Sequence, residues 1–84
     1  MTTERNKHAD RELMRISQVA RAAGVSAQTV EYYIMLGLIE PLRPPDRGGR
    51  FFDDQHVKRI RLIRKLNDSG YTLKDIREIH LRRH

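Results

Sequence analysis

The sequence contains no cysteine and no tryptophan, and only two phenylalanines and three tyrosines among its 84 residues. Without cysteine, a disulfide scaffold, a thiolate metal site and thiol catalysis are excluded. No apolar run approaches the roughly 20 residues of a membrane span, and the first residues lack the apolar stretch of a secretory signal. We therefore expect one small cytoplasmic domain.

Acidic residues are in the minority, since 11 Asp and Glu stand against 17 Lys and Arg and leave a net charge of +6. The first 13 residues hold three acidic and three basic residues, so the whole excess lies in residues 14–84. A basic domain favours a polyanionic partner, although a basic protein without such a partner fits the charge as well. Residues 1–13 are polar and aperiodic, which predicts a disordered arm before a domain at 14–84.

Two short helices are predicted in the first half of that domain. Ser17 is the expected N-cap of the first helix, and Gly24 can end it in a left-handed conformation. Ser26 is the expected N-cap of the second helix, which runs to about Met35 and stops at Gly37. Two short helices joined by such a turn are typical of a helix-turn-helix.

A small hairpin is predicted next. Three prolines exclude helix across residues 41–45, and the two glycines that follow favour a turn. The segments 38–42 and 50–52 can pair on either side of that turn. The adjacent aromatic residues Phe51 and Phe52 argue against a free surface loop, and we expect one of them to anchor the hairpin to the core.

Two more helices complete the prediction. Asp53 or Asp54 is expected to cap a third helix that runs to about Ser69, ends at Gly70 and carries an apolar stripe. The stripe consists of Val57, Ile60, Leu62, Ile63 and Leu66. A capping box of Thr72 and Asp75 starts the fourth helix. Its apolar face consists of Leu73, Ile76 and Ile79. The expected fold is mainly α, a winged helix-turn-helix of four helices and one β-hairpin.

Residues 14 to about 80 resemble the DNA-binding domain of the MerR family of transcriptional regulators. Six motifs of that family occur in order, namely Ile16-Ser-Gln-Val19-Ala20, Gly24-Val25-Ser26-Ala-Gln-Thr29, Val30-Glu31-Tyr32-Tyr33, Gly37-Leu38-Ile39-Glu-Pro41, Gly48-Gly49-Arg50-Phe51-Phe52 and Gly70-Tyr71-Thr72-Leu73-Lys-Asp-Ile76. The resemblance implies a sequence-specific regulator that binds double-stranded promoter DNA, as a homodimer or as a cooperative assembly, and that distorts the site.

The sequence departs from the family pattern in two places. Glu31 stands where the family usually has an arginine that touches the DNA backbone. A carboxylate there would repel phosphate or accept a hydrogen bond from a cytosine amine, and the sequence is compatible with either role. The family usually continues into a dimerisation helix and an effector domain, so we expect a stand-alone short regulator or a fragment, with no cofactor and no small-molecule effector.

The second helix is expected to lie in the major groove with its N-terminal residues nearest the base edges. Gln28 can bond adenine through its amide, and Ala27 or Thr29 can offer a methyl group to thymine. Tyr32 and Tyr33 point about 100° apart on a helix. We therefore expect one phenol to reach a phosphate and the other to pack inside.

The arginines of the hairpin are the expected phosphate ligands, because a guanidinium binds phosphate through two parallel hydrogen bonds. Arg50 is the first candidate, followed by Arg47 and Arg43. Most basic residues of the third helix are expected to face solvent, with Lys58 and Arg61 as contact candidates. The candidate DNA-binding residues are Arg15, Ser26, Ala27, Gln28, Thr29, Tyr32, Tyr33, Arg43, Arg47, Gly49, Arg50, Lys58 and Arg61.

Catalytic and metal-binding patterns are missing from the sequence. The four histidines, at positions 8, 56, 80 and 84, have no partner at metal-ligand spacing, and neither a Ser-His-Asp set nor a phosphate-binding glycine loop occurs. We therefore expect a binding protein and not an enzyme. Two alternatives to the regulator fit the same residues, an excisionase-like architectural DNA-binding protein and a winged-helix protein-interaction module.

Overall fold

Four helical segments make up most of the structure, a computed structural model that describes residues 12–81, with side chains up to residue 79. Helix α1 is Ile16–Ala23, α2 is Ala27–Met35 and α3 is Asp54–Asp68. Helix α4 begins as Leu73–Asp75 and continues with the wider π-helical spacing as Ile76–Leu81. The predicted arm, apart from residues 12 and 13, lies outside the described residues.

The start of α1 differs from the prediction, because the N-cap is Arg15 and not Ser17. The Gln18 side-chain oxygen accepts the backbone N–H of Arg15 at 2.7 Å, which fixes the chain at that residue. Ile16 is thereby included in the helix and packs against the core. Ser17 lies inside the first turn and is exposed.

The start of α2 is as predicted. Ser26 has extended backbone angles, and its hydroxyl oxygen accepts the backbone N–H of Thr29 at 3.0 Å. The two hydroxyl groups of Ser26 and Thr29 are 2.9 Å apart, so they also share a hydrogen bond. Ser26 therefore satisfies one of the N–H groups that a helix start leaves without a partner.

The different positions of the two serines lead to a testable contrast. Ser26→Ala should lower the free energy of unfolding by about 1 kcal/mol, because an N-cap hydrogen bond is lost. Ser17→Ala should leave it unchanged or raise it slightly, because alanine is the better residue inside a helix. Urea unfolding followed by circular dichroism measures both values. A larger loss for Ser17→Ala would contradict the helix start at Arg15.

The turn between α1 and α2 depends on a glycine. Gly24 has a φ of 78°, a left-handed conformation that a side chain disfavours. The backbone N–H groups of Gly24 and Val25 donate to the carbonyls of Arg21 and Ala20 at 3.2 and 3.0 Å, which closes α1. Val25 then packs against the core. This turn sets the angle at which α2 leaves α1.

The segment between α2 and α3 pairs at its ends. Leu42 and Phe51 exchange two backbone hydrogen bonds of 2.8 and 2.9 Å, and Met14 and Phe52 exchange two of 2.7 and 2.8 Å. Within residues 12–81 these are isolated antiparallel bridges and not extended strands. The predicted pairing of segments 38–42 and 50–52 is therefore limited to Leu42 and Phe51, and a β-hairpin is unconfirmed.

Both phenylalanines are buried, and one of them, Phe52, belongs to the core cluster, as the prediction of a single anchor requires. Phe51 lies against the guanidinium groups of Arg15 and Arg47. Phe52 meets His56 edge to face, with ring centres 5.3 Å apart. The core cluster consists of Val19, Ala20, Ala23, Val30, Tyr33, Leu38, Ile39, Phe52, Val57, Ile60, Ile63 and Ile76. Helix α1 packs on both α2 and α3, and α4 packs on α3, so one core supports every helix.

The predicted caps of α3 and α4 are confirmed, but the predicted apolar face of α4 is only partly correct. Asp53 and not Asp54 caps α3, and Thr72 with Asp75 forms the predicted capping box of α4. Ile79 was expected on the apolar face, but 62% of it is exposed. The wider π-helical turns that begin at Ile76 rotate the third following residue off the buried face. Within the described residues, no helix has both the length and the apolarity to cross a membrane.

Candidate nucleic-acid interface

One face of helix α2 is exposed to solvent. Gln28, Glu31, Tyr32 and Met35 are exposed, and their spacing places them on one side of the helix. Val30 and Tyr33 on the other side are buried. Ala27 and Thr29 are half-buried, and Ala27 packs against the core. Of Ala27, Gln28 and Thr29, which were expected to read bases, Gln28 is therefore the one that is exposed.

The two tyrosines divide as their angular separation predicts. Tyr32 is 48% exposed, whereas Tyr33 is 5% exposed and belongs to the core cluster. Burial raises the pKa of the Tyr33 phenol, so this group stays neutral. Tyr32 is therefore the phenol on the exposed face of α2, and its contact with phosphate stays a prediction.

Arg50 and Glu31 form an ion pair that joins the loop to α2. The guanidinium donates from Nη1 to Oε1 at 3.0 Å and from Nη2 to Oε2 at 2.8 Å. The side chains are 33% and 50% exposed, respectively. Such a two-point pair holds the guanidinium plane in a fixed direction. Arg50 was predicted as a phosphate ligand and Glu31 as an isolated departure, and the structure brings the two together.

The Glu31 side chain stays deprotonated to a lower pH than an ordinary carboxyl group. The hydrogen bonds that Arg50 donates hold the pKa of the Glu31 carboxyl below its usual range. Because the pKa is lowered, the pair is intact above the usual carboxyl range and is lost only as the pH falls through the lowered value. Near neutral pH, Glu31 is therefore a carboxylate whose charge Arg50 balances.

Two other predicted arginines gather around Phe51. The guanidinium carbons of Arg15 and Arg47 lie 4.5 and 5.2 Å from the centre of the Phe51 ring, a cation–π arrangement. A Cβ built on Gly49, which has a φ of 100°, would lie 3.2 Å from Nη1 of Arg15. Arg15 therefore packs against the loop, although it precedes α1 in sequence, and Gly49 provides the room.

Arginines of α3 and α4 donate to carbonyls at the ends of the first two helices. Arg61 donates to Ala22 at 2.9 Å and Arg64 to Gly24 at 2.6 Å. These carbonyls lie where α1 ends, at the negative end of its dipole. Arg61 is predicted to contact DNA. The structure gives one of its guanidinium nitrogens this carbonyl partner, and its contact with DNA stays a prediction.

Two further arginines donate to carbonyls that directly follow α2 in the sequence. Arg59 donates to the carbonyl of Leu38 at 2.8 Å, and Arg77 donates to that of Leu36 at 3.3 Å. Sequence reasoning missed this role for all four arginines. The spacing of Arg59, Arg61 and Arg64 along α3 indicated only a basic face, and Arg77 lies on α4. Nothing in the sequence shows which carbonyls these side chains meet.

The remaining predicted cations are exposed. Lys58 lies on α3, and Arg43 lies in the loop one residue after Leu42. His56, the one histidine whose side chain is described, bonds within the domain. Its Nε2 lies 2.8 Å from the carbonyl oxygen of Glu40, which can only accept, so that nitrogen carries the proton. Within the described residues, no cluster of three or more potential ligands could hold a metal ion.

Comparison with protein families places most of the chain in one group. The model of the MerR HTH family regulatory protein matches residues 14–82. The chain is also similar to curated regulators. It is 35% identical to the HTH-type transcriptional regulator AdhR of Bacillus subtilis (strain 168) over 65 residues. This aligned region covers 77% of this chain and 46% of that protein.

The mercuric resistance operon regulatory protein of Bacillus cereus is 36% identical over 62 residues, which covers 74% of this chain and 47% of that protein. The chain thus spans about half the length of these curated relatives. Among solved structures, it is similar to HiNmlR, described as a MerR family regulator lacking the sensor domain, bound to promoter DNA. That match has a TM-score of 0.70 and 29% identity, and covers 80% of this chain and 51% of that chain.

Proposed function

We propose that this chain, which belongs to the MerR HTH family of regulatory proteins, regulates transcription by binding double-stranded promoter DNA with α2 in the major groove. The observation that carries the proposal is the exposed face of α2, to which the arginine-rich loop is joined through Glu31 and Arg50. A helix and a basic loop side by side form the kind of surface that binds bases and phosphates together.

We name residues 42–51 the wing segment and propose that it lies along the phosphate backbone as the wing of a winged helix-turn-helix. The bridge between Leu42 and Phe51 brings its two ends together. Arg43 and Arg47 lie within it and are exposed, and Arg50 lies at its end. Phosphate contacts of this kind supply affinity and orientation, while α2 supplies the base contacts.

Gln28 and Tyr32 are the proposed contacts from α2. Gln28 is exposed in the first turn of the helix, where an amide can pair with adenine. Tyr32 is one turn further along the same face, where a phenol can donate to a phosphate oxygen. Ser26 fixes the start of the helix and so fixes the position of both side chains.

The family membership supports a proposal for the mode of regulation. We propose that two protomers, or a cooperative assembly, occupy a promoter site in the cytoplasm and act by changing its shape, without a catalytic step. The solved relative HiNmlR, described as a MerR family regulator lacking the sensor domain and bound to promoter DNA, supports DNA binding by this chain. A footprint on promoter DNA would give the length, the symmetry and any distortion of the site.

Binding to a promoter duplex tests the proposal. Wild-type affinity, measured by fluorescence anisotropy, should fall steeply with salt because phosphate contacts release counterions. Arg50→Ala should bind about tenfold more weakly and reduce the salt slope by about one, and Tyr32→Ala should also weaken binding. Lys65→Ala, an exposed change of one charge on α3, is the control and should have little effect.

Two results would refute this function. One is a wild-type affinity that does not change with salt, since every phosphate-bound protein shows that dependence. The other is equal affinity of the wild type, Arg50→Ala and Tyr32→Ala, which would remove both the wing segment and α2 from the contact surface.

A further inference from the structure

A carboxylate on the exposed face of α2 is an unexpected feature for a DNA-binding surface. Glu31 lies three residues after Gln28 and next to Tyr32, on the same exposed side of the helix. An isolated negative charge there would repel phosphate groups. Glu31 is not isolated, because Arg50 reaches across from the wing segment and balances its charge.

The geometry of the pair leaves part of Arg50 available. A guanidinium has five N–H donors in one plane. Glu31 accepts from the two terminal nitrogens, Nη1 and Nη2, at the end of the group. The Nε–H and an outward N–H of a terminal nitrogen remain, and they form a second edge with two parallel donors. That edge matches any group with two neighbouring acceptors.

The backbone on both sides of Arg50 is fixed. On one side, Arg15 lies close to Gly49, since a Cβ built on Gly49 would be 3.2 Å from Nη1 of Arg15. On the other side, Phe51 is buried and exchanges two hydrogen bonds with Leu42. Arg47 provides a contrast, because its pair with Asp46 is 4.0 Å long and both side chains are largely exposed. Arg50 is thus held at its backbone and at its guanidinium.

We propose that Glu31 is a positioning residue for Arg50. It holds the guanidinium beside the exposed face of α2, so that the second donor edge binds a paired-acceptor group of double-stranded DNA. That group is either two oxygens of one phosphate or the O6 and N7 atoms of a guanine. The proposal rests on the DNA-binding function above and adds a role for the one residue that departs from the family pattern.

A matched pair of charge-neutralising variants tests the proposal. Glu31→Gln and Glu40→Gln each remove one negative charge from an exposed residue. Simple electrostatics predicts tighter DNA binding for both, because each makes the protein more basic. We expect the opposite sign for Glu31→Gln, about fivefold weaker binding to a promoter duplex, because Arg50 loses its fixed direction. Glu40→Gln should bind as tightly as the wild type or slightly more tightly.

The effect of Glu31→Gln in the wild type and in an Arg50→Gln protein shows whether Glu31 acts through Arg50. In an Arg50→Gln protein, Glu31→Gln should no longer weaken binding, because the guanidinium that it positions is gone. An equal loss in both backgrounds would mean that Glu31 touches DNA itself, and would overturn the proposal. Tighter binding of Glu31→Gln, equal to that of Glu40→Gln, would also overturn it, because Glu31 would then merely mask Arg50.

A second variant tests the donor edge without changing the net charge. Arg50→Lys keeps the positive charge but lacks a planar edge with two donors, so it should also bind about fivefold more weakly. Wild-type affinity for Arg50→Lys would overturn the proposal, whatever the behaviour of Glu31→Gln. Thermal unfolding should give the same midpoint for all these variants and the wild type, since the altered side chains are outside the core cluster.

The two possible DNA groups are distinguished by the duplex used. If Arg50 binds a phosphate, Glu31→Gln should weaken binding to a promoter duplex and to a random-sequence duplex by the same factor. If it binds a guanine, the loss should be confined to the promoter duplex. If the wild type binds no duplex in a salt-dependent manner, the DNA-binding function itself is refuted. If the wild type binds DNA and Glu31→Gln binds it more tightly, only the positioning role is refuted.

Discussion

Ile63→Ala is expected to lower the free energy of unfolding by about 2–5 kcal/mol. Ile63 is completely buried in the core cluster, where α3 meets the other helices. The substitution removes three carbon atoms and leaves a cavity that close-packed neighbours fill only in part. Small domains are stable by roughly 5–15 kcal/mol in total, so this single change removes a large fraction of the stability. Urea unfolding followed by circular dichroism measures the loss.

The adjacent residue is the control. Leu62 precedes Ile63 on α3 and was placed in the same apolar stripe by its spacing, but it is 45% exposed. Leu62→Ala should therefore cost far less, on the order of a few tenths of a kcal/mol up to one, because little apolar surface leaves a packed environment. Equal losses for the two variants would contradict the orientation of α3 on the core.

Asp53→Ala is expected to lower the free energy of unfolding by about 2–3 kcal/mol. The carboxylate of Asp53 is buried and accepts the backbone N–H groups of Gln55 and His56 at 3.0 and 3.3 Å. The Nδ1 atom of His56 lies 3.0 Å from the same oxygen. Alanine leaves the two backbone N–H groups without that acceptor in a place that water hardly reaches. Thermal or urea unfolding gives the value.

Two neighbouring substitutions separate the cap from a simple charge effect. Asp53→Asn keeps a side-chain oxygen that can accept an N–H group, so it should retain most of the stability. Asp54→Ala removes an exposed carboxylate from the first turn of α3, where its interaction with the helix dipole is worth about 0.3–1 kcal/mol. A larger loss for Asp54→Ala than for Asp53→Ala would show that the cap has been assigned to the wrong residue.

Local sequence signals predicted most of the helices, because capping and glycine turns act over a few residues. Ser26 and the pair of Thr72 with Asp75 cap their helices as their spacing indicates. The position of the N-cap at Ser17 was wrong because the helix starts at Arg15, whose backbone N–H donates to the side-chain oxygen of Gln18. Arginine has only donors in its side chain and is therefore not expected as an N-cap. Ile79 was misjudged because spacing assumes ordinary helical turns, whereas α4 widens after Asp75.

The candidate site was predicted less completely, because its main contact spans 19 positions in the sequence. Arg50 and Glu31 were each singled out, one as a cation at the end of a turn and one as a departure from a pattern. Nothing local shows that the two meet. The same holds for Arg61, whose carbonyl partner at Ala22 lies on a different helix. Residue types and spacing identify donors and acceptors, but the tertiary fold decides which of them pair.

The arginines that reach carbonyls at the ends of α1 and α2 would give misleading results in a scan for DNA contacts. Loss of Arg64, which bonds Gly24, would release the turn and reduce the fraction of molecules with α2 correctly held. Apparent affinity would then fall in proportion to that fraction. It would fall equally for every duplex and leave the ratio between target and random sequence unchanged. A weakened mutant of this kind reports on the population of the competent state and not on a contact with the ligand.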